Sequence, residues 1–216
     1  MDLTETQQAT LLASKLFAGV QRQDLPALLE DLRARLAVFP AGGVMVARGE
    51  QVREVGVVLA GQGRSLIVDG AGGELIVSLL EAGSFLGVLL AASRTRKSPV
   101  TVQATEETTV LFLPARELTR SPLLENFLDS VAEQSLSLND RIDCLIRRSV
   151  REKVSTYLLR TAARQQSREI VLPLDREAMA NYLNVERSAL SRELSRMKED
   201  GLIDYRKNVF RLLELH

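Results

Sequence analysis

The stretch LDREAMANYLNVERSALSRELSRM, residues 174 to 197, breaks one short amphipathic helix after Leu183 and starts another three residues later. Asp175 is a capping residue for a helix from Arg176 to Leu183, with Met179, Ala180 and Leu183 on its buried face. Ala180 supplies the small side chain that two closely crossing helices need. Asn184 stands where the turn calls for a left-handed backbone, which Asn tolerates better than most residues. Val185 fills the angle. Leu190, Leu194 and Met197 give the second helix an apolar stripe at i, i+4, i+7, and Asp200-Gly201 ends it. This pattern predicts a helix-turn-helix, in which the second helix lies in the major groove of DNA.

On that second helix, Ser188, Ser191, Arg192 and Ser195 share the face opposite the stripe, with Arg187 at its N-terminal edge. Arginine pairs bidentately with guanine O6 and N7, serines reach bases or phosphates, and a helix N-terminus favours phosphate. Downstream, LIDYRKNVFRLL alternates as a strand, a basic turn and a second strand. That is the wing of a winged helix, with Arg206, Lys207 and Asn208 at a tip near the phosphate backbone. The formal net charge of zero hides a division that supports this reading. Residues 1–144 carry 13 Lys+Arg against 18 Asp+Glu, a net −5; residues 145–216 carry 15 against 10, a net +5. Basic charge that coincides with the motif points to double-stranded DNA as partner. The alternative is a winged helix used for protein contacts, with its arginines merely solvated.

Upstream the texture differs. From about Phe39 to Leu113, short apolar runs (VMVA, VGVVLA, SLIV, ELIVSLL, TTVLFL) alternate with turn signals (PAGG, ARGE, GQG, DGAGG, EAGS) roughly every ten residues. This predicts an antiparallel β-roll of jelly-roll type, with DGAGG at 69 to 73 as the clearest hairpin turn. Residues 6 to 37 read as helical, Asp24 and Pro26 opening a helix that LLEDLRARL continues. After Pro122, Leu124, Leu128, Val131, Ser135, Leu138, Ile142 and Leu145 recur at alternating steps of four and three. About three heptads of this predict a dimerisation helix with Leu124, Leu128, Val131, Leu138, Ile142 and Leu145 in the seam. A long helix packed on its own domain also yields such a stripe. From Ser149 the apolar phase changes and a new helix, SVREKVSTYLLRTAARQ, starts on a serine cap.

The expected architecture is therefore α+β: residues 1–121 a β-roll with N-terminal helices, 122–148 a dimerisation helix and hinge, and 149–216 a winged helix-turn-helix. No stretch approaches twenty uninterrupted apolar residues, and MDLTETQQAT lacks a basic region before an apolar run, so no membrane span or secretory signal is expected. The single Cys144 excludes an intrachain disulfide and fits a reducing cytoplasm.

The chain resembles the Crp/Fnr superfamily of bacterial transcription regulators along nearly its whole length. The residues that carry the resemblance are FPAGG at 39 to 43, RGE at 48 to 50, LAGQG at 59 to 63, EAGSFLGVLLAASRTRKSPVTVQA at 81 to 104 and NVERSALSRELSRMKEDGLI at 184 to 203. It implies a homodimer that binds palindromic operators under the control of a small-molecule effector, with RNA polymerase as a further candidate partner. Arg192 matches the arginine that members use against guanine, Arg187 a basic position of several members, and Ser191 the serine of the oxygen-sensing branch. Ser188 stands where many members place a glutamate. The resemblance also places the effector pocket at Phe85, Gly87, Val88, Lys97 and Ser98, with Leu138 and Asn139 of the central helix beside it. Cyclic-nucleotide-binding members have a Phe-Gly-Glu turn and an Arg-Ser pair there. This chain reads Phe85-Leu86-Gly87-Val88 and Lys97-Ser98. A ribose hydroxyl facing valine loses its partner, a loss on the order of 1–3 kcal/mol, and lysine offers no bidentate fork. These departures predict an effector other than cyclic AMP, with Arg94, Arg96 and Lys97 retaining affinity for anions. One cysteine cannot ligate the iron–sulfur cluster of the oxygen-sensing branch, and the only histidine for a haem is His216. No cofactor or metal is assigned. A metal-dependent enzyme on the same roll would need two or three histidines and a carboxylate, and the roll holds no histidine. A regulator with a vestigial pocket, binding DNA constitutively, is the remaining rival.

Overall fold

The computed structural model describes residues 2–68, 70, 73–172 and 174–215. The chain opens with α1 (Glu5–Ala13), capped by a reciprocal box between Thr4 and Gln7, then a 3₁₀ turn at Lys15–Phe17 and α2 (Leu25–Asp31). The strands β1 (Arg35–Phe39), β2 (Val44–Val46), β3 (Glu54–Ala60), β4 (Gly63–Val68), β5 (Glu74–Leu80) and β6 (Phe85–Leu86) lead into the short α3 (Val88–Ala92). There follow β7 (Thr101–Ala104), β8 (Thr108–Pro114), the single turn α4 (Ala115–Leu118) and the long α5 (Leu124–Leu145). The remainder is α6 (Val150–Gln165), β9 (Glu169–Val171), α7 (Arg176–Leu183), α8 (Arg187–Glu199), β10 (Ile203–Arg206) and β11 (Val209–Leu212).

Two antiparallel four-stranded sheets, β1-β8-β3-β6 and β2-β7-β4-β5, make the expected roll. Its most apolar runs are the strands buried on both faces. Along β3, Val55, Val57 and Leu59 face the helices with Leu111 and Leu113 of β8, while Val58 faces the other sheet with Val110 and Phe112. Continuous hydrophobicity in VGVVLA and VLFL is the signature of that two-sided burial. Gly61 bends the chain between β3 and β4 at φ +85°, where a Cβ would lie 2.3 Å from the Glu107 carbonyl oxygen. Of the DGAGG turn, Asp69, Ala71 and Gly72 fall outside the described residues, as does His216.

One boundary departs from expectation. The helix read through LLEDLRARL ends at Asp31; Arg33 takes a left-handed conformation at φ 51°, and the Ala34 amide donates back to the Leu29 carbonyl at 2.9 Å. Arg35 and Leu36 then join β1 and pair with Phe112 and Leu111 of β8. A non-local ladder wins over local helix propensity there.

Contacts divide the chain into two units, residues 1–135 and 136–216, with the division inside α5. In the first unit, Leu123, just before α5, and Phe127 within it are buried in one core with Leu16, Phe17 and Leu118, and the Asn126 side-chain amide donates to the carbonyls of Leu16 and Ala18 at 3.1 and 3.0 Å. In the second, Arg160 of α6 pairs with Asp140 and, at 2.5 Å, with Asp143 at the end of α5. The capping box between Ser149 and Glu152 opens α6 as the serine cap predicts. The hydrogen bond from Arg160 and the nearby Arg147 hold the Asp143 carboxyl below the usual 3.8, and Lys198 does the same for Asp204. A carboxyl depressed by folding stabilises fully above its unfolded value and is lost as pH falls through the folded one. The melting temperature of the second unit is therefore expected to hold from about pH 7 to 5 and drop below about pH 4. Asp143→Asn should flatten part of that drop; an unaltered acid limb in calorimetry would count against these pairs.

Candidate nucleic-acid interface and ligand pocket

The corner between α7 and α8 is built from four separate restraints. The Asp175 carboxylate accepts from the Ala178 amide at 2.8 Å, capping α7. Asn184 ends that helix at φ 50°, ψ 62°, in the left-handed region, as its chemistry predicts. Met179, Ala180 and Leu183 of α7 are buried against Leu190, Leu194 and Met197 of α8, with Val185 half-buried in the angle. The fourth restraint, invisible in the sequence, is Lys153 of α6, whose ammonium donates to the carbonyls of Leu183 and Asn184 at 3.1 and 3.2 Å. A cation there satisfies the carbonyls that a helix C-terminus leaves open and complements its dipole.

This frame leaves Arg187, Ser188, Ser191, Arg192 and Ser195 exposed along α8. Three acids of this unit are engaged by other cations, while Glu177 and Glu186 stay exposed. Arg151 of α6 binds Glu193 at 2.5 Å and Asp200 at 2.7 Å, and Lys198 binds Asp204 at 2.6 Å. Among the described residues, Arg187 and Arg192 have no ion pair, so their guanidiniums are open to a partner. The serines are not equivalent: the Ser195 hydroxyl donates to the Ser191 carbonyl at 3.2 Å, whereas Ser188 and Ser191 side chains make no such bond among the described residues.

After α8, β10 and β11 pair with β9 in a three-stranded wing, which extends the two-stranded expectation by the segment Glu169–Val171. Arg176, at the start of α7, lies 4.9 and 4.8 Å from the ring centres of Tyr205 and Phe210 and donates to the Lys207 carbonyl at 3.0 Å. Lys207 itself turns the wing at φ 53°. A cleft of about 370 Å³ is lined by Asp175, Arg176, Glu177, Arg187, Lys207 and Asn208. Arg176 had no signal in the sequence, because a cation at a helix start reads as solvated surface.

In the roll, Gly87 caps α3 at φ 77°, and a Cβ there would meet the Glu54 carbonyl oxygen at 2.8 Å. Val88, the next residue, is 2% exposed and belongs to the core with Leu11, Phe17 and Val55; Phe85 packs partly against the same core. Lys97 is exposed and its backbone bridges Gln51. Ser98 is buried, and its hydroxyl donates to the Val100 carbonyl at 2.7 Å. None of these five residues lines the cleft of about 410 Å³ on the roll, whose walls are Gln51, Arg53, Ala91, Ala92, Ser93, Arg94, Thr95 and Arg96.

Residues 152–216 match the model of the Crp-like helix-turn-helix domain, and residues 36–121 match that of the cyclic nucleotide-binding domain. The chain belongs to the Crp/Fnr family of transcription regulators. Its relatives include the transcriptional activator protein FnrA of Stutzerimonas stutzeri, 27% identical over 206 residues, which span 91% of this chain and 83% of FnrA. Among solved structures, a CooA variant from Carboxydothermus hydrogenoformans has a TM-score of 0.69 at 21% identity, covering 99% of this chain and 94% of that one. FixK2 of Bradyrhizobium japonicum has a TM-score of 0.67 at 19% identity, covering 83% and 92% respectively. At such identities the two structures speak for the fold alone.

Membership makes this chain a DNA-binding regulator rather than an enzyme. In the regulator's α5, Leu124, Leu128, Ala132, Ser135, Asn139, Ile142 and, just past the helix, Ile146 are exposed on one stripe, flanked by the exposed Glu125, Asp129, Glu133 and Leu136. At 100° per residue the stripe spans about 80° of arc. Val131, Leu138 and Leu145, which the heptad pattern placed in the seam, are half-buried instead, Val131 against the core of the first unit. Asn139 is exposed on the stripe, and Leu138 beside it is half-buried. Among the described residues, no helix is long and apolar enough to cross a membrane.

Proposed function

We propose that this Crp/Fnr regulator is a homodimer that reads a palindromic operator through the opening of α8 and answers to a small molecule other than cyclic AMP. In this reading, residues 1–121 sense the effector, 122–148 form the dimer helix and hinge, and 149–216 bind DNA. The carrying observation is that, among the described residues, Arg187 and Arg192 stand exposed without an ion pair while Arg151 holds Glu193 and Asp200. Arg192, Arg187, Ser188 and Ser191 meet base edges; Lys207 and Arg206 at the wing meet phosphates. Ser195 contributes contact rather than a free hydroxyl, since it donates into its own helix.

Selection of bound sequences from a random pool should return an inverted repeat. Arg192→Ala should then cost about 1–3 kcal/mol on that site and relax preference at one base pair, read by fluorescence anisotropy. Unchanged affinity would place the reading face elsewhere. Lys207→Ala should weaken all sequences alike and lower the salt slope by about one.

The effector part is supported by Val88 and Ser98. A valine side chain in the core offers nothing to a ribose, and the Ser98 hydroxyl is engaged by its own backbone. Calorimetry with cyclic AMP is expected to give no binding; micromolar affinity would refute this. The same placements favour a second reading, a constitutive regulator with a vestigial pocket. Ligand-free protein that binds its operator at full strength would select it.

A further inference from the structure

The helix α8 is fastened along two flanks. At about 100° per residue, Glu193 and Asp200 lie on one flank, roughly 80–100° round from Arg192. Arg151, in the first turn of α6, holds both of them: its Nε donates to Glu193 at 2.5 Å and its Nη2 pairs with Asp200 at 2.7 Å. On the other flank, about 140° round from Glu193, Lys198 pairs with Asp204 of β10 at 2.6 Å. The Glu193 side chain is only 14% exposed, so its carboxylate has lost most of its water and depends on a cation. Arg196 of the same helix stands 3.9 Å away as the competing partner. Arg151 is what draws that carboxylate toward α6 instead of along α8.

Partly exposed ion pairs of this kind add little stability in water, so the effect of the tie is geometric. The stripe of Leu190, Leu194 and Met197 decides which side of α8 meets the core, but apolar burial is non-directional and leaves the helix free to roll by small angles. Two anchors on one flank, two turns apart, oppose that rolling. Bidentate pairing between an arginine and a base edge tolerates only about 10–20° of misorientation. A guanidinium offers separate nitrogens to two acids at once, whereas the single ammonium of a lysine is a point charge that cannot hold both in the same geometry.

We propose that Arg151 is a positioning residue for operator recognition, acting through Glu193 to set the angle at which Arg192 meets its base pair. The inference rests on the operator reading above. Fluorescence anisotropy of the full chain tests it, with the selected operator and with the same duplex altered at the base pair where Arg192→Ala relaxes preference. The ratio of the two affinities measures discrimination, which bulk charge does not set. Arg151→Lys keeps the net charge and should lower that ratio about tenfold, with a thermal melt within a few degrees of the wild type. Glu193→Ala cuts the same tie from the α8 side. It should lower the ratio too, although the added net positive charge tightens binding to random duplex. In the Arg192→Ala background, Arg151→Lys should change the ratio no further, because a residue that acts through Arg192 has nothing left to position. Wild-type discrimination in Arg151→Lys or in Glu193→Ala overturns the positioning role. So does an effect of Arg151→Lys that adds in full to that of Arg192→Ala, or a melt that collapses together with the ratio, which would mark a merely structural residue. If Arg192→Ala binds both duplexes as the wild type does, the operator reading fails and this inference with it.

Discussion

Lysine at both positions 128 and 142 is expected to leave the protein folded and turn it into monomers. Leu128 and Ile142 are each 55% exposed in the single chain, and Ile146 on the same face is 67% exposed. Such a concentration of open aliphatic side chains on one helix face is what a protein partner covers. Because neither side chain supports the core of its own chain, Leu128→Lys with Ile142→Lys should not alter the circular dichroism spectrum. Across a two-fold axis, however, each substitution meets its own copy or a neighbour of the same seam. Burying an unpaired ammonium costs several kcal/mol, so the dissociation constant should rise on the order of a thousandfold or more. Sedimentation should report one chain per particle. Operator affinity should fall to that of a single half-site, with little discrimination between sequences. A variant that remains dimeric would show that the assembly uses another surface, and a wild-type monomer would remove the dimer altogether.

Arg141→Met is expected to raise stability, although it removes a charged residue from a crowded junction. Arg141 is 4% exposed, and among the described residues its two terminal nitrogens have no hydrogen-bond partner. Its guanidinium lies 4.3 Å from the ring centre of Tyr182 on α7, and that ring leans on Tyr157 of α6 at 5.2 Å. Burial pushes the Arg141 ionisation down and Tyr182 only partly counters it. The acids of its own helix, Asp140 and Asp143, belong to Arg160. A desolvated cation over an aromatic face gains about 2 kcal/mol, whereas an uncompensated buried charge costs several. The cost should win. Methionine fills similar volume and packs well on rings, so a gain of about 1–3 kcal/mol and a melting temperature higher by several degrees are expected. Arg141→Ala should fall below Arg141→Met, because it leaves a void over Tyr182. A lower melting temperature for Arg141→Met would mean that the stack outweighs the burial.

The helix-turn-helix was legible because its signals are local and mutually consistent. A capping Asp175, a left-handed Asn184 and a stripe at Leu190, Leu194 and Met197 lie within some two dozen residues, and each has one physical role. The central strands were legible for the same reason, since two-sided burial writes itself as an unbroken apolar run. What escaped depended on distant chain. The RARL segment is compatible with either helix or strand until β8 offers it a ladder. Of the residues expected in the α5 seam, Leu124, Leu128 and Ile142 are exposed, whereas Val131, Leu138 and Leu145 are half-buried, Val131 against the core of its own unit. A stripe at 3.6 residues per turn drifts from a strict heptad, and only packing decides which side of the drift is covered. The effector residues were carried by a resemblance of motif. That resemblance says which residues align, and the core packing of Val88 shows that alignment does not fix what a side chain faces. Lys153 and Arg176 were missed because a cation that binds carbonyl oxygens looks, in a sequence, like any other solvated one.

The lysine that reaches from α6 to the carbonyls of Leu183 and Asn184 has a mechanical consequence. With Asp175, Asn184 and Lys153 all holding one bend, the elbow behaves as a welded joint, and the start of α8 cannot flex on its own knuckle. Any signal that alters DNA affinity has to carry this whole rigid block to or from its groove.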